Sequence, residues 1–272
     1  MSDGKSAVEV RDLRIAYGWG RHSAQILHGI NLDVAAGRTL GVVGESGSGK
    51  STLAKALVGT LKPTSGTVRI GGEDIGSISR SERSAMRRKV QMIPQDPYSS
   101  LDPRRTIGEA LAEAIDPTRG DVRKNSDLIV HWLETVKMPA NAMSRYPHEF
   151  SGGQRQRVAI ARGLILRPEV VIADEITSAL DVSVQAEILN LISRLRQELG
   201  LTMVFISHNL AVVRHVSDDV VVLYRGDIVE RRPTKDLFDS PEHPYTRALI
   251  DAVPGGPRFS IEPSGRENPA LA

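Results

Sequence analysis

The residues Gly44-Glu45-Ser46-Gly47-Ser48-Gly49-Lys50-Ser51 fill every fixed position of the pattern Gly-x-x-x-x-Gly-Lys-Ser/Thr, a loop built to hold polyphosphate. Its glycines let consecutive backbone N–H groups face one concavity. A helix starting behind the loop adds its positive end, so an anion meets donors with no partner of their own. Lys50 is expected to reach the outer phosphates and the Ser51 hydroxyl to ligate Mg²⁺, with Thr52 next along the same helix. The flanking text suits the motif. Thr39-Leu40-Gly41-Val42-Val43 reads as a buried strand, and Thr52 to Val58 carries apolar residues at helical spacing.

A second group lies far downstream. Val170-Val171-Ile172-Ala173 is an apolar run that ends in Asp174-Glu175. A free pair of carboxylates has no place in a core, which puts them at the C-terminal end of a strand, where open α/β sheets place their ligands. Asp174 then suits Mg²⁺ ligation, directly or through water, and Glu175, on the other side of the strand end, suits taking a proton from water. Thr202 to Ile206 reads as another buried strand that delivers Ser207-His208 to the same edge. Ser151-Gly152-Gly153-Gln154 opens a helix with apolar positions at Val158, Ile160, Ala161, Leu164 and Ile165, a second helix N-terminus fit for an anion.

These segments must be carried by a chain of 272 residues, long enough for one large domain with an insertion or for two small ones. There is no apolar run of about 18 residues and no charged-then-apolar leader at Met1 to Lys5, which predicts a chain that neither spans a membrane nor is secreted. The absence of cysteine excludes disulfides, thiolate metal sites and cysteine-held iron–sulfur clusters. With 35 Lys and Arg against 33 Asp and Glu, net charge does not argue for nucleic acid or an acidic membrane surface. The cluster Arg80, Arg83, Arg87, Arg88, Lys89 is interrupted by Glu82 and reads as the solvated face of a polar helix from Ser79.

Along the chain, Val8 to Ile15 alternates only partly and reads as an exposed strand leading to the glycine-flanked pair Tyr17 and Trp19. Ile30 to Val34 and Thr67 to Ile70 read as further strands, and Val90 to Ile93 as one stopped by Pro94. Helical patterns follow. Ile107, Leu111 and Ile115 make one stripe, and Leu128, Ile129, Trp132, Leu133 and Val136 another, with Trp132 expected in the core. A helix is expected to begin at Ser178 to Asp181 and end at Gly200, and two closing strands to flank Gly226. The tail from Pro254 is rich in Pro and Gly and is expected to be poorly ordered.

Taken together, Gly44 to Ser51, Ser151 to Gln154, Asp174-Glu175, Ser178 to Asp181 and His208 stand in the order and spacing of the ATP-binding cassette family. The chain most resembles the ATPase subunits of dipeptide, oligopeptide and nickel importers. That closer likeness rests on Gln95-Asp96-Pro97-Tyr98-Ser99-Ser100-Leu101-Asp102-Pro103-Arg104, on Tyr146 to Arg157, and on Glu242-His243-Pro244-Tyr245-Thr246-Arg247-Ala248-Leu249 with its His-Pro-Tyr motif. The resemblance implies an α/β, RecA-like phosphate-loop NTPase core with an N-terminal antiparallel β-subdomain and an inserted α-helical subdomain. It divides the chain into 1–95 (β-subdomain and first part of the core), 96–165 (helical, signature-bearing), 166–235 (second part of the core) and 236–272 (C-terminal extension and tail).

By the same resemblance, Tyr17 stacks on adenine, with Trp19 close by, and Gln95 senses Mg²⁺ and the attacking water. Ser151 and Gly153, with Gly152 and Gln154, bind the γ-phosphate held by an opposite subunit; Glu175 is the catalytic base, Asp181 crosses the dimer interface and His208 contacts the γ-phosphate. Ile176 departs from the family, which usually has proline there, and removes a fixed φ from the turn that aims Glu175. ATP and Mg²⁺ are the implied ligands. The implied partners are a second cassette subunit, a different chain more readily than a copy of this one, two transmembrane permease subunits and, through the complex, an extracytoplasmic solute-binding protein. Nucleic acid is not among them, and the implied place is the cytoplasmic face of the inner or plasma membrane. The readings that compete are a non-transport cassette ATPase and a regulatory nucleotide binder without turnover.

Overall fold

Five parallel strands end at one edge of a six-stranded sheet, and that edge carries the chemistry. The computed structural model describes residues 6–18, 23–79 and 82–252. In chain order the elements are β1 (Ser6–Tyr17), β2 (Ala24–Ala35), β3 (Thr39–Val43), α1 (Lys50–Leu57), β4 (Ser65–Ile70), β5 (Glu73–Asp74), α2 (Glu82–Lys89) and β6 (Val90–Ile93). Then come α3 (Pro97–Ser100), α4 (Ile107–Ile115), α5 (Ser126–Thr135), α6 (Gly152–Leu164), β7 (Val170–Asp174), α7 (Val182–Leu199) and β8 (Thr202–Ile206). Last are α8 (Leu210–Val216), β9 (Asp219–Tyr224), β10 (Asp227–Pro233), α9 (Thr234–Asp239) and α10 (Pro244–Asp251).

The larger sheet has the order β10-β9-β3-β8-β7-β6, parallel throughout except for the antiparallel edge strand β10. Every residue of β3, β7 and β8 is buried, which explains their unbroken apolar text: a parallel strand covered on both faces has no polar side to show. Alternate residues feed two cores. Val170, Ile172, Val204 and Ile206 face α1 and the smaller sheet, whereas Val171, Ala173, Met203 and Phe205 face the helices of the inserted region. Trp132 lies in that second core at 1% exposure, as its stripe predicts.

The smaller sheet is antiparallel, ordered β2-β1-β4-β5. Here the expectation of an exposed strand over Val8 to Ile15 is wrong. β1 is an interior strand of its sheet, and Val8, Val10, Leu13 and Ile15 are all buried. The cause of the broken alternation is Asp12, which takes φ 45° and shifts the register between Val10 and Leu13, so the inward set changes from even to odd positions.

One helix start also differs from expectation. The third long helix starts at Val182 and not at Ser178, because the Asp181 carboxylate accepts the Val184 N–H (2.9 Å) and caps it, while Ser178 is tied by its hydroxyl and N–H to the Glu175 carbonyl in a turn. The polar helix expected from Ser79 is described from Glu82. Trp19, Arg80 and the tail from Pro254 lie outside the described residues. Among those described, no helix is long and apolar enough to cross a membrane.

Candidate active site

The phosphate loop connects β3 to α1, and its glycines are there for space as well as for φ. A Cβ on Gly44 would lie 2.1 Å from the Leu223 carbonyl oxygen; Gly49, at φ 106°, is the residue on which α1 begins. The helix starts with no side-chain cap, so the N–H groups of its first turn point into the loop unclaimed by a neighbouring side chain. Lys50 is buried, and its ammonium donates to the carbonyls of Gly44 (2.8 Å) and Glu45 (2.7 Å). Burial pulls its pKa below the ordinary lysine value, against the opposing charges of Glu175, Asp174 and Glu45.

Strand register brings the remaining groups to the same edge. Asp174 pairs with Ile206, so the ends of β7 and β8 coincide, and Ile93 of β6 pairs with Ala173. From these ends emerge Gln95, Asp174, Glu175 and His208. The two carboxylates diverge. Asp174 turns toward α1, accepts a hydrogen bond from Ser51, and keeps a buried oxygen, Oδ1, without a hydrogen-bond partner. Burial holds its pKa above the usual carboxylate value, the Ser51 bond opposing this and the charge of Glu175 adding to it. Glu175 takes φ 49°, leaves the strand direction, and its Oε2 lies 3.2 Å from Gln95 Nε2 and 3.2 Å from His208 Nδ1. Its backbone N–H donates to the Ile206 carbonyl (2.9 Å), which fixes the turn between two strand ends.

Tyr17, at the end of β1, is 44% exposed and lines one open cleft of about 420 Å³ with Ser46, Gly47, Gly49, Lys50, Ser51, Thr52, Gln95 and Glu175. An exposed aromatic face, a nest of donors, a buried cation and a carboxylate thus share one hollow. That set can stack a base, hold phosphates and take a proton. A buried oxygen without a partner beside a serine hydroxyl is also the hard oxygen set that Mg²⁺ takes, so the residues present fit that ion.

The other predicted residues do not line this cleft. Ser151 caps α6, its hydroxyl accepting the Gln154 N–H (3.3 Å) while the Gln154 side chain accepts the Ser151 N–H (3.0 Å). Gly152 and Gly153 pack against the start of α7, where a Cβ on Gly153 would lie 2.4 Å from Val184 Cγ1. Asp181 caps α7 and is held below the usual carboxylate value by the Val184 N–H and the Ser183 hydroxyl. The N-termini of α6 and α7 therefore form a second surface, and beside Asp181 stands Val182 at 84% exposure.

One contact was not foreseen. The Glu45 N–H donates to the hydroxyl of Tyr245 (3.0 Å), a residue of the His-Pro-Tyr motif 200 positions away. The motif itself was visible, but nothing local in either segment shows that they meet.

A family model described as ABC transporter matches residues 27–178, and a second, described as oligopeptide/dipeptide transporter, C-terminal region, matches residues 229–261. This chain belongs to the ABC transporter family. It is an ATPase subunit of that family, with the mixed antiparallel and parallel sheet architecture that its motifs imply. It is 49% identical to a di/tripeptide transport ATP-binding protein, DppF, of Pseudomonas aeruginosa over 86% of this chain and 73% of that one. It is 44% identical to the oligopeptide transport ATP-binding protein AmiF of Streptococcus pneumoniae over 91% of this chain and 81% of that one. Among solved structures it is similar to the dimeric ATP-binding cassette MJ0796 in a post-hydrolysis state bound to ADP and Pi, at TM-score 0.74 and 28% identity, covering 84% of this chain and 98% of that one. It is also similar to cbiO1 of Clostridium perfringens, part of the complex cbiONQ, at TM-score 0.75 and 28% identity over 87% and 92% of the two chains.

Proposed function

We propose that this chain energises an importer of peptides or a related small solute by binding and hydrolysing ATP at a site it shares with a second cassette subunit. The observation that carries this reading is a mismatch. The cleft with Tyr17, Lys50, Ser51 and Glu175 holds half of a phosphate site, and the Ser151 to Gln154 helix start, which belongs to the chemistry by sequence, stands on a different surface of the same chain. Each surface then needs its complement from a neighbour. The names of the relatives support peptides as cargo, and the His-Pro-Tyr extension supports the same class of importer.

In this reading the loop N–H groups and Lys50 hold the β- and γ-phosphates, Tyr17 stacks on the adenine and Gln95 orients the attacking water. Mg²⁺, held by Ser51, Asp174 and Gln95, neutralises charge on the phosphate oxygens when bound. Glu175 takes the proton of the water as its oxygen bonds to the γ-phosphorus, and the bond to the ADP oxygen breaks, leaving ADP and phosphate. His208, now beside Glu175, is placed to meet the γ-phosphate, and Ser151 and Gly153 of the partner complete the donors around it. Loss of that phosphate releases the pair, a two-state element that the inserted helices pass on to permease subunits at the cytoplasmic face of the membrane.

The test is isolation of the tagged full-length chain from membranes, followed by uptake measurements in cells. Co-purification with a second cassette and two permease subunits, and loss of peptide uptake in cells carrying only Lys50→Ala, support the proposal. Recovery with RNA or DNA and without membrane subunits would overturn it.

A further inference from the structure

The contact between the C-terminal extension and the phosphate loop has a consequence for the loop's most important cation. The N–H of Glu45 and the carbonyl of Gly44 belong to one peptide group, and both are engaged: the N–H donates to the Tyr245 hydroxyl (3.0 Å), and the carbonyl accepts from Lys50 Nζ (2.8 Å). In a trans peptide these two groups point in opposite directions. The peptide is therefore a rigid plate with Tyr245 behind it and Lys50 in front. An ammonium has three N–H donors; two of those on Lys50 go to the Gly44 and Glu45 carbonyls, leaving one to meet a phosphate oxygen.

Tyr245 is itself fixed. It is 3% exposed and does not line the cleft, so it reaches the loop from behind, not through the nucleotide. Its ring packs on Tyr224, centroids 4.2 Å apart, at the end of β9, next to the Leu223 carbonyl that walls in Gly44. The extension is anchored below it: the Glu230 carboxylate accepts the N–H groups of Glu242 (2.9 Å) and His243 (3.0 Å), and His243 Nδ1 caps α10 by accepting the Tyr245 N–H (3.2 Å). At its other end the loop is held by Gly226, whose N–H donates to the Ser48 carbonyl (3.0 Å).

We propose that Tyr245 is a positioning residue of the ATP site: its hydroxyl sets the plane of the Gly44–Glu45 peptide and through it the direction in which Lys50 presents its free N–H. Burial raises the pKa of the phenol, so the hydroxyl keeps its proton across the working range. The inference rests on the ATPase reading for its kinetic consequence, but the geometry it describes exists without nucleotide.

The experiment compares full-length wild type with Tyr245→Phe, which keeps the ring and its stacking and removes only the hydroxyl. Amide hydrogen exchange, followed at Glu45 without added nucleotide, is expected to speed up by about 3- to 10-fold, the range of one lost hydrogen bond, while the amides of α10 keep their wild-type protection and overall stability falls by no more than that one bond. With the assembled complex, KM for ATP is expected to rise by about the same factor with kcat within about twofold. Unchanged exchange at Glu45 together with unchanged KM would overturn the proposal. So would a parallel fall of kcat and the unfolding midpoint, since that is what a merely structural tyrosine produces. A wild-type complex without ATP turnover would count against the ATPase reading alone, because the exchange measurement needs no ATP and judges Tyr245 separately.

Discussion

His208 Nδ1 stands 3.2 Å from Glu175 Oε2, although the two residues come from the ends of different strands. Gln95, from beyond a third strand, donates to the same oxygen (3.2 Å) and to the Ser178 hydroxyl (3.3 Å). The left-handed φ of Glu175 is what turns the carboxylate into their reach, and such a conformation in a residue with a Cβ costs about 1–3 kcal/mol, so it persists only where its surroundings enforce it. If these two donors aim the base, His208→Ala and Gln95→Ala should each lower kcat for ATP by about tenfold or more, the range for a hydrogen bond to a charged group, with a smaller change in ATP affinity. Single-turnover hydrolysis and equilibrium nucleotide binding, measured side by side, separate the two effects.

Asp174 makes a prediction about metal dependence. Its unpartnered Oδ1 and the neighbouring Ser51 hydroxyl are the oxygens that would hold Mg²⁺ in the proposed mechanism. Asp174→Asn keeps the shape and removes the charge, so the Mg²⁺ concentration for half-maximal ATPase should rise at least about tenfold, an effect of the size that altered ligation commonly has. A chelator should abolish turnover in wild type, and a Mg²⁺ titration of both proteins reads the difference.

Ile176 stands where the family resemblance leads one to expect proline, yet the turn has another anchor. Its side chain is 1% exposed and belongs to the core beneath the inserted helices, and the Glu175 N–H is held by Ile206. Burial thus takes over the restraint that a ring would impose. Ile176→Ala should destabilise the protein by about 2–5 kcal/mol in urea unfolding and lower kcat more than it raises KM, because the cavity sits directly under the base.

The extension should respond to acid. Burial by itself would raise the pKa of Glu230, but the Glu242 N–H, the Thr246 side chain, the His243 N–H and the charge of Arg232 together outweigh it and hold the carboxyl below the ordinary glutamate value. A carboxyl depressed on folding adds stability above its unfolded pKa and loses that contribution as pH falls through the unfolded value toward the folded one. The protection of the amides of residues 242–251, their exchange rates relative to the intrinsic rate at each pH, should therefore fall below the ordinary glutamate range in wild type. In Glu230→Gln protection should be low already at neutral pH and change little on acidification.

The parts of this molecule that were legible in its sequence are those where one physical demand acts on neighbouring residues. β3, β7 and β8 are five-residue runs buried on both faces, and no other element type bounded so tightly by polar text explains them. The phosphate loop is legible because glycine spacing and a following lysine serve one ligand. β1 misled because the φ of 45° at Asp12 moves the inward set by one residue, which a count of alternation reads as weak amphipathicity. Helix α7 was set too early because Ser178 and Asp181 are both good cap residues, and only the Val184 N–H decides between them. The Tyr245 contact was beyond reach, since it depends on where β9 and β10 deliver the extension.

The most direct measurement of the central claim is the fate of radiolabelled ATP on the assembled complex, wild type against Glu175→Gln. The account predicts that wild type releases ADP and phosphate, whereas Glu175→Gln retains intact ATP between paired cassettes and turns over at least about a hundredfold more slowly, the lower end of what a positioned base contributes. Hydrolysis by Glu175→Gln at the wild-type rate, or full ATP turnover by a chain that never pairs with a second cassette, would contradict it.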